Sequence, residues 1–494
     1  MAFNTCQVCN PSPKAYFVQN GKNFICQNCK NSLKSYYTDE YLELIKMHLP
    51  MFEDFGHKVQ FVLENSEAYT NPEMGYADRK WRMEDLIGNE NKDGLLFSKE
   101  EKYKINMIDC YREIEGKKHY ELCIVVNVKG GKDIYLFSEK YFANPNSTHG
   151  LGKEANKKIE ETTNNIMDLL RKETNLDEDT EIIYTSGSSE SNNLAIKGIA
   201  QTYKENGKHI ISTFLEHSSV SSPLTYLKEQ GYEIDIVNIK NDGAIDLEHL
   251  KSLLRDDTIL LSVCYVDSEV GTVQPIREIV EILKDYPNCN LHVDSTQAIG
   301  KINVDFSGVD LISFAPHKFN GLNGFGALIK KKDIVLEPLI NGGASTSLYR
   351  SGTPVIGQIC AFEKALELTF DNFKIRYEYV SKLNKKLRDS LSKYNDVKIN
   401  TISNENPFIL NISVNGVKAT EFKNKLEEYG ICISIKSACT VTITPSRIVM
   451  SMTHDRKRAF ASWRISLSHV VKEEEIDKFL EIFDECYKYF KNNK

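Results

Sequence analysis

From about residue 150 the hydrophobic positions follow two alternating patterns. Short apolar runs, EIIYTSG, HIIST, EIDIVN, TILLSVCYV, NLHVDS and DLISFA, are separated by segments with helical spacing such as IEETTNNIMDLL, LEHLKSLL and IREIVEIL. Runs apolar on both faces are expected of strands covered on both sides, and helices between them supply the crossovers that parallel pairing requires. The alternation predicts an open, largely parallel α/β sheet spanning about residues 150–340. From Val355 a long helical stretch leads to strands PFILNISV and ICISI and to a final helix. There Ile476, Phe479, Leu480, Phe483 and Phe490 share one apolar face, which puts Cys486 in the core of a smaller α+β domain.

The first 140 residues have a different texture. Cys6-x2-Cys9-x16-Cys26-x2-Cys29 has the spacing of a four-thiolate zinc site, each CxxC turn presenting two sulfurs to one tetrahedral ion. The second pair opens a helix-like segment, as in a treble-clef finger. Four thiolates leave no open coordination position, so the site reads as structural Zn2+, with a rubredoxin-like iron site as the alternative. Six lysines, no arginine and five acids in residues 1–60 give the finger no basic surround, which favours protein docking over DNA binding. Farther on, YKINMIDCY, HYELCIVVNV and DIYLF, separated by EGKK and KGGK, suit a small antiparallel meander. The expected domains are 1–48, the zinc finger; 49–140, a small α+β or β-meander segment; 141–345, the large sheet domain; and 346–494, the small C-terminal domain.

Composition narrows the class. With 494 residues, 41% apolar and 27% charged, the chain is an ordinary globular protein of several domains. Sixty-two basic against 69 acidic side chains leave −7, no electrostatic reason to expect a nucleic-acid or membrane-surface partner. The start, MAFNTCQVCN, lacks a basic then apolar leader, and the apolar runs are strand-sized, so a cytoplasmic protein without membrane contact is expected. In a reducing compartment its twelve cysteines are metal ligands, nucleophiles or core residues.

Three segments carry chemistry together. In SFAPHKFNGLNGFGALI, Lys318 follows His317 at the end of an apolar strand, before a glycine-rich turn. In LHVDSTQAIGK a buried strand ends at Asp294, an acid able to pair with a pyridinium nitrogen, while Gln297 is placed to reach a ring hydroxyl. YTSGSSESNN passes from strand to helix and offers Ser188, Ser189 and N-terminal N–H groups to a phosphate. Strand, phosphate cradle, acid and lysine describe a pyridoxal 5'-phosphate site. Taken singly, His217 and Asp294 read more readily as helix caps, and Arg464 as an ion-pair partner, than as functional groups.

Nine strings, NPNSTHGLG, TSGSSESNNLAIKG, LEHSSV, EVGTVQPI, HVDSTQAIGK, SFAPHK, RSGT, KSACT and WRISLS, stand in the order found in a known family. Residues 144–470 resemble the cysteine desulfurases of the iron-sulfur-cluster and nitrogen-fixation type, within the class V aminotransferases of fold type I. The resemblance implies that Lys318 forms the Schiff base and shuttles the substrate α-proton. It implies that Asp294 holds the pyridinium proton, that Gln297 bonds the phenolate oxygen, and that His217 stacks on the ring and serves acid–base steps. Ser188, Ser189 and His317 would hold the phosphate, and Thr353 would reach that of a neighbouring subunit in a homodimer. Arg464 would take the substrate carboxylate, with Asn144 and Ser268 also at the substrate position. Cys439 matches the loop cysteine that receives sulfur from L-cysteine, giving L-alanine and a persulfide destined for a protein acceptor. A thiol near pKa ~8.5 is mostly protonated at neutral pH, so a nearby cation would help, and Lys436 lies three residues before it.

The match also has gaps. DIYLFSEKYFANPN runs from a strand almost directly into Asn144 and Pro145, omitting a segment that the family places there. Ser268 stands for a usual Asn, Ala315 for a phosphate-binding Ser, GGASTS for G-G-G-Q-E, and Lys436 for a Gly. Two other readings therefore remain: another class V lyase, aminotransferase or selenocysteine lyase working without a persulfide, and an inactive zinc-finger scaffold on a desulfurase-like body.

Overall fold

The computed structural model describes residues 143–343, 345–402, 405–435 and 444–492, Tyr141, and the backbone of two strands near residue 115. The chain divides into two compact units, Met1–Lys140 and Tyr141–Lys494. In the first, β1 (Tyr103–Ile114) and β2 (Lys117–Val128) pair antiparallel, Tyr103 opposite Val128 and Ile114 opposite Lys117. Two of the three segments expected to form a meander are thus strands. DIYLF and the cysteines Cys6, Cys9, Cys26 and Cys29 lie outside the described residues.

The second unit opens with α1 (Gly150–Thr174), capped by His149, whose Nδ1 accepts from the Gly152 N–H. Its elements then alternate: β3 (Thr180–Thr185), α2 (Ser188–Thr202), β4 (His209–Thr213), α3 (Ser218–Glu229), β5 (Glu233–Val237), α4 (Leu247–Leu253) and β6 (Thr258–Cys264). α5 (Ile276–Leu283), β7 (Asn290–Asp294), β8 (Leu311–Phe314), a 3-10 turn at Pro316–Phe319 and β9 (Gly326–Lys331) complete the sheet. The seven strands run in the order β3-β9-β8-β7-β6-β4-β5. β5, β4, β6, β7 and β8 are parallel, and β9 is reversed between β8 and β3. Every residue of β4, β6 and β8 is buried, in keeping with apolar runs that do not alternate.

Two long helices, α6 (Ile356–Asp371) and α7 (Phe373–Leu391), lead to a second sheet of β10 (Val397–Ile399), β11 (Ile409–Val414) and β12 (Ser462–Ser466), all antiparallel. Around it lie α8 (Ala419–Glu427), α9 (Arg447–Thr453), α10 (Arg456–Phe460) and α11 (Glu473–Asn492). Trp463, Phe422 and Phe483 fill the core here, with Trp463 and Phe422 stacked at 5.5 Å. On α11, Ile476, Phe479, Phe483 and Cys486 are buried as the apolar face requires.

One expected strand is corrected. ICISI does not run as a strand: Ile431 returns its N–H to Leu426 and Gly430 takes a φ of +75°, closing α8, so that only Ser434 bridges to Arg464. β12 is therefore one edge of the three-stranded sheet and β10 the other. Loop 267–272, after β6, joins the two sheets. Asn411 Nδ2 donates to the Glu269 carbonyl at 3.0 Å, Thr401 Oγ1 to the Val270 carbonyl at 2.6 Å, and Ser446 Oγ to Glu269 Oε2 at 2.6 Å.

Candidate active site

Ligands of open α/β sheets bind beyond the carboxyl ends of the strands. Most of the residues singled out from the sequence are found there: Ser188 and Ser189 after β3, His217 after β4, Ser268 after β6, Asp294 and Gln297 at β7, His317 and Lys318 after β8. At the end of β3, Thr185 Oγ1 meets Ser191 Oγ at 2.8 Å, stapling strand to helix. A Cβ on Gly326 would lie 2.4 Å from the Gly187 carbonyl carbon, so glycine there lets β9 press against the turn that carries Ser188. Gly187 caps α2 without a side-chain bond, leaving Ser188 and Ser189 beside N–H groups of the first turn. Glu190 accepts from the Ser186 N–H at 2.7 Å and pairs with Arg350 at 3.0 Å, which neutralises an acid next to that anion-favouring end.

Asp294 is buried and doubly held. Its Oδ1 accepts from the Thr296 N–H at 3.0 Å, a capping bond, and its Oδ2 from Asn192 Nδ2 at 2.8 Å. The second Asn192 hydrogen goes to Ser219 Oγ at 2.9 Å, which lies 2.8 Å from His217 Nδ1. His217 also caps α3, Nδ1 accepting from the Ser219 N–H at 3.1 Å. An accepting Nδ1 assigns the proton of neutral imidazole to Nε2. Burial lowers the His217 pKa, with Asp294 opposing and Lys318 adding to the fall, so the ring is neutral near pH 7 and lies within the fields of both.

Lys318 rides the 3-10 turn that starts at Pro316 and ends at Asn320 in the left-handed conformation. Both His317 and Lys318 are exposed there, and burial, then Lys318, then Lys301 lower the His317 pKa. Arg464, on β12, donates from Nη1 to the Ser268 carbonyl, and its Nε is buried without a partner among the described residues. Burial lowers its pKa, while Glu269 and Asp267 favour its charge. The bond ties two residues expected at the substrate position. Asn144 is exposed, with Oδ1 accepting locally from the Asn146 N–H, and Thr353 is exposed on the segment after Arg350. Cys439 and Lys436 lie outside the described residues; on either side, Ser434 pairs with the Arg464 backbone and Ser446 with Glu269.

Sequence reasoning missed Asn192, Ser219, Glu216 and Lys301. Glu216 is buried between the Thr213 hydroxyl at 2.7 Å and the Cys264 N–H at 2.9 Å. Burial raises its pKa to about 8, the two donors opposing and Asp294 adding to the rise. Lys301 donates to Gln297 Oε1 at 2.5 Å. The available signal was a polar residue embedded in an otherwise buried run.

An aminotransferase class-V family model matches residues 132–479. A NifS/IscS-type homologue from Lactobacillus delbrueckii subsp. bulgaricus is 38% identical over 363 residues, covering 71% of this chain and 91% of the relative. The chain belongs to the aminotransferase class-V family, in its cysteine desulfurase branch. A cysteine desulfurase IscS of Dictyoglomus turgidum is 34% identical to this class-V chain, over 70% of the chain and 88% of the relative. A solved NifS-like protein superposes with a TM-score of 0.66 at 32% identity, covering 72% of this chain and 94% of that one.

The class-V site fits the family's pyridoxal phosphate in its unused polar atoms. Asn192 Oδ1, Thr296 Oγ1 and Arg464 Nε are buried without partners among the described residues, next to Asp294 and Ser268. Such orphans are rare unless a ligand or water completes them. Ser188, Ser189 and His317 suit the phosphate, Asp294 the ring nitrogen and Gln297 a ring oxygen.

Proposed function

We propose that this cysteine desulfurase takes sulfur from L-cysteine onto Cys439, releases L-alanine and hands the sulfur to a protein acceptor. The reading is carried by one observation: Asp294, His217 and Lys318 come from three strand ends into one shared field, with Arg464 tied to the adjoining loop. Pyridoxal phosphate, when bound, supplies the electron sink that makes the amino acid's α-proton acidic and its C–S bond breakable. Arg464 takes the substrate carboxylate on its fork, drawing on the Nε left unpartnered. The Lys318 amine removes the proton at the substrate α-carbon. Neutral His217, with its proton on Nε2, is the acid–base group beside it. Asp294, fixed by Asn192 and the Thr296 N–H, keeps a negative charge at the ring nitrogen.

The Cys439 thiolate attacks the substrate sulfur. An S–S bond forms, the C–S bond breaks with its electron pair left on the three-carbon fragment, and protonation of that fragment yields L-alanine. One thiol and one cysteine thus become one persulfide and one alanine, with no external oxidant or reductant. The experiment is L-cysteine turnover by wild type and Cys439→Ala, assaying alanine together with the visible band of the bound cofactor. Alanine formation is expected to vanish in the variant while the band persists. Full turnover by the variant would favour a lyase that works without a persulfide, and a wild type with no band would favour the scaffold reading.

Three finer parts belong to the same proposal. Cys6, Cys9, Cys26 and Cys29 form a structural Zn2+ site by their donor set and spacing, to be checked by metal content with and without Cys26→Ser. The chain pairs as a homodimer in which Thr353 serves the neighbouring phosphate site, to be checked by light scattering. Residues 1–140 dock the acceptor in the cytoplasm; among the described residues, no helix is long and apolar enough to cross a membrane. Deleting residues 1–130 without loss of transfer to the true acceptor would refute the docking role.

A further inference from the structure

Lys301 has no part in the reaction described above, yet the fold brings it close to the reacting lysine. After β7 the chain makes a helical turn, in which Ile299 N bonds Ser295 O at 3.2 Å and Ile302 N bonds Ala298 O at 3.1 Å. The turn sets Lys301 beside Gln297. Gly300 in this turn has a φ of +75°, and a Cβ on it would meet Thr369 Cγ2 at 2.4 Å and Phe319 Cβ at 3.1 Å. The missing side chain lets the turn press against Phe319, the residue after Lys318. Lys301 is partly buried, and burial, then Lys318, then Arg464 lower its pKa to about 7, while it in turn disfavours the charged form of His317.

Lys301 Nζ donates to Gln297 Oε1, and below about pH 7 it does so as an ammonium with donors only, so the Gln297 oxygen faces Lys301 and the NH2 end faces away. We propose that Lys301 is a positioning residue whose ammonium fixes the Gln297 amide so that its NH2 donates to the phenolate oxygen of bound pyridoxal phosphate. The inference rests on the cofactor reading given above and adds to it the means by which the amide is oriented. The held donor makes the phenolate oxygen, and the nitrogen through which Lys318 is joined to the cofactor, less basic. The Lys301 charge acts in the same direction, as do the neighbouring Arg464 and His317 when charged.

The test is a spectrophotometric pH titration of the holoenzyme's visible band, without substrate. Lys301→Met is expected to raise the titration midpoint by about one pH unit, and Lys301→Arg to keep it close to wild type. Gln297→Leu should also raise it, and Lys301→Met should add less in that background than alone. An unchanged midpoint in Lys301→Met, or full additivity of the two changes, would overturn the proposal, whatever happens to the melting temperature. If Lys301→Met does not accumulate as folded protein, Lys301→Leu, which also lacks a donor, serves in its place with the same expected rise. A wild type with no visible band fails the cofactor reading itself, an outcome distinct from a band whose midpoint ignores Lys301.

Discussion

Replacing Glu216 by Gln tests whether the buried carboxyl beside Asp294 carries its proton at neutral pH. Gln keeps an oxygen for the Thr213 hydroxyl and the Cys264 N–H and puts an NH2 where Oε2 lies buried without a partner among the described residues. Moving a carboxyl from 4.5 to about 8 corresponds to at most about 5 kcal/mol between its protonation states. The sign follows from linkage. Between these values the folded protein holds a proton that the unfolded chain has released, so stability falls as pH rises and the loss is complete above the folded value. The slope is at most about 1.4 kcal/mol per pH unit, and Gln has no such proton to lose. The stability of Glu216→Gln relative to wild type should therefore climb by about 1–3 kcal/mol from pH 5.5 to 7.5, the lower figure allowing for relaxation around the charge. Urea unfolding of cofactor-free protein at several pH values measures it. A difference that is flat with pH, or that shrinks as pH rises, refutes the reasoning, because it would mean that Glu216 ionises as readily folded as unfolded.

Asn192→Ala removes both donors that join Asp294 to Ser219 and His217, and should weaken cofactor binding about tenfold or more, read by equilibrium titration of the apoprotein. Arg464→Lys replaces a planar fork by a point charge; KM for L-cysteine should rise about 30- to 100-fold with the cofactor band unchanged, as steady-state kinetics and absorbance will show. Gly300→Ala forces a side chain into a left-handed position and onto Thr369, which should cost about 2–3 kcal/mol in urea denaturation.

The sequence patterns were most informative where burial was two-sided. β4, β6 and β8 are apolar throughout because the sheet hides both faces, so their runs announce strands without alternation. The same property hides direction: GALIKK reads like its neighbours, and nothing in it foretells that β9 runs backwards between β3 and β8. ICISI misleads for a local reason, since the residues after Gly430 close a helix before a strand can form. Asp294, His217 and Lys318 were legible because each terminates an apolar strand or follows one closely. Asn192 was not, because its meaning lies in a carboxylate 102 residues away. Lys301 was not legible either, because its place depends on Gly300 letting the turn press against Phe319.

The position of β9 also governs when the site can exist during synthesis. β3 lies at the edge of the sheet with β9 as its neighbour, and the turn carrying Ser188 and Ser189 leans on Gly326. At roughly 5–20 residues per second, the ribosome needs on the order of 10–30 s after β3 to deliver β9. Through that interval the nascent chain holds the anion-binding turn without the strand that shapes it. Lys318 emerges only just ahead of β9, so the reactive amine and the finished phosphate cradle reach the cell almost together. A chain stalled after β8 and before β9 would leave the N–H and C=O edge of β8 unpaired and the turn at Ser188 without its neighbouring strand, a species for chaperones to hold and for pulse-labelling on arrested ribosomes to detect.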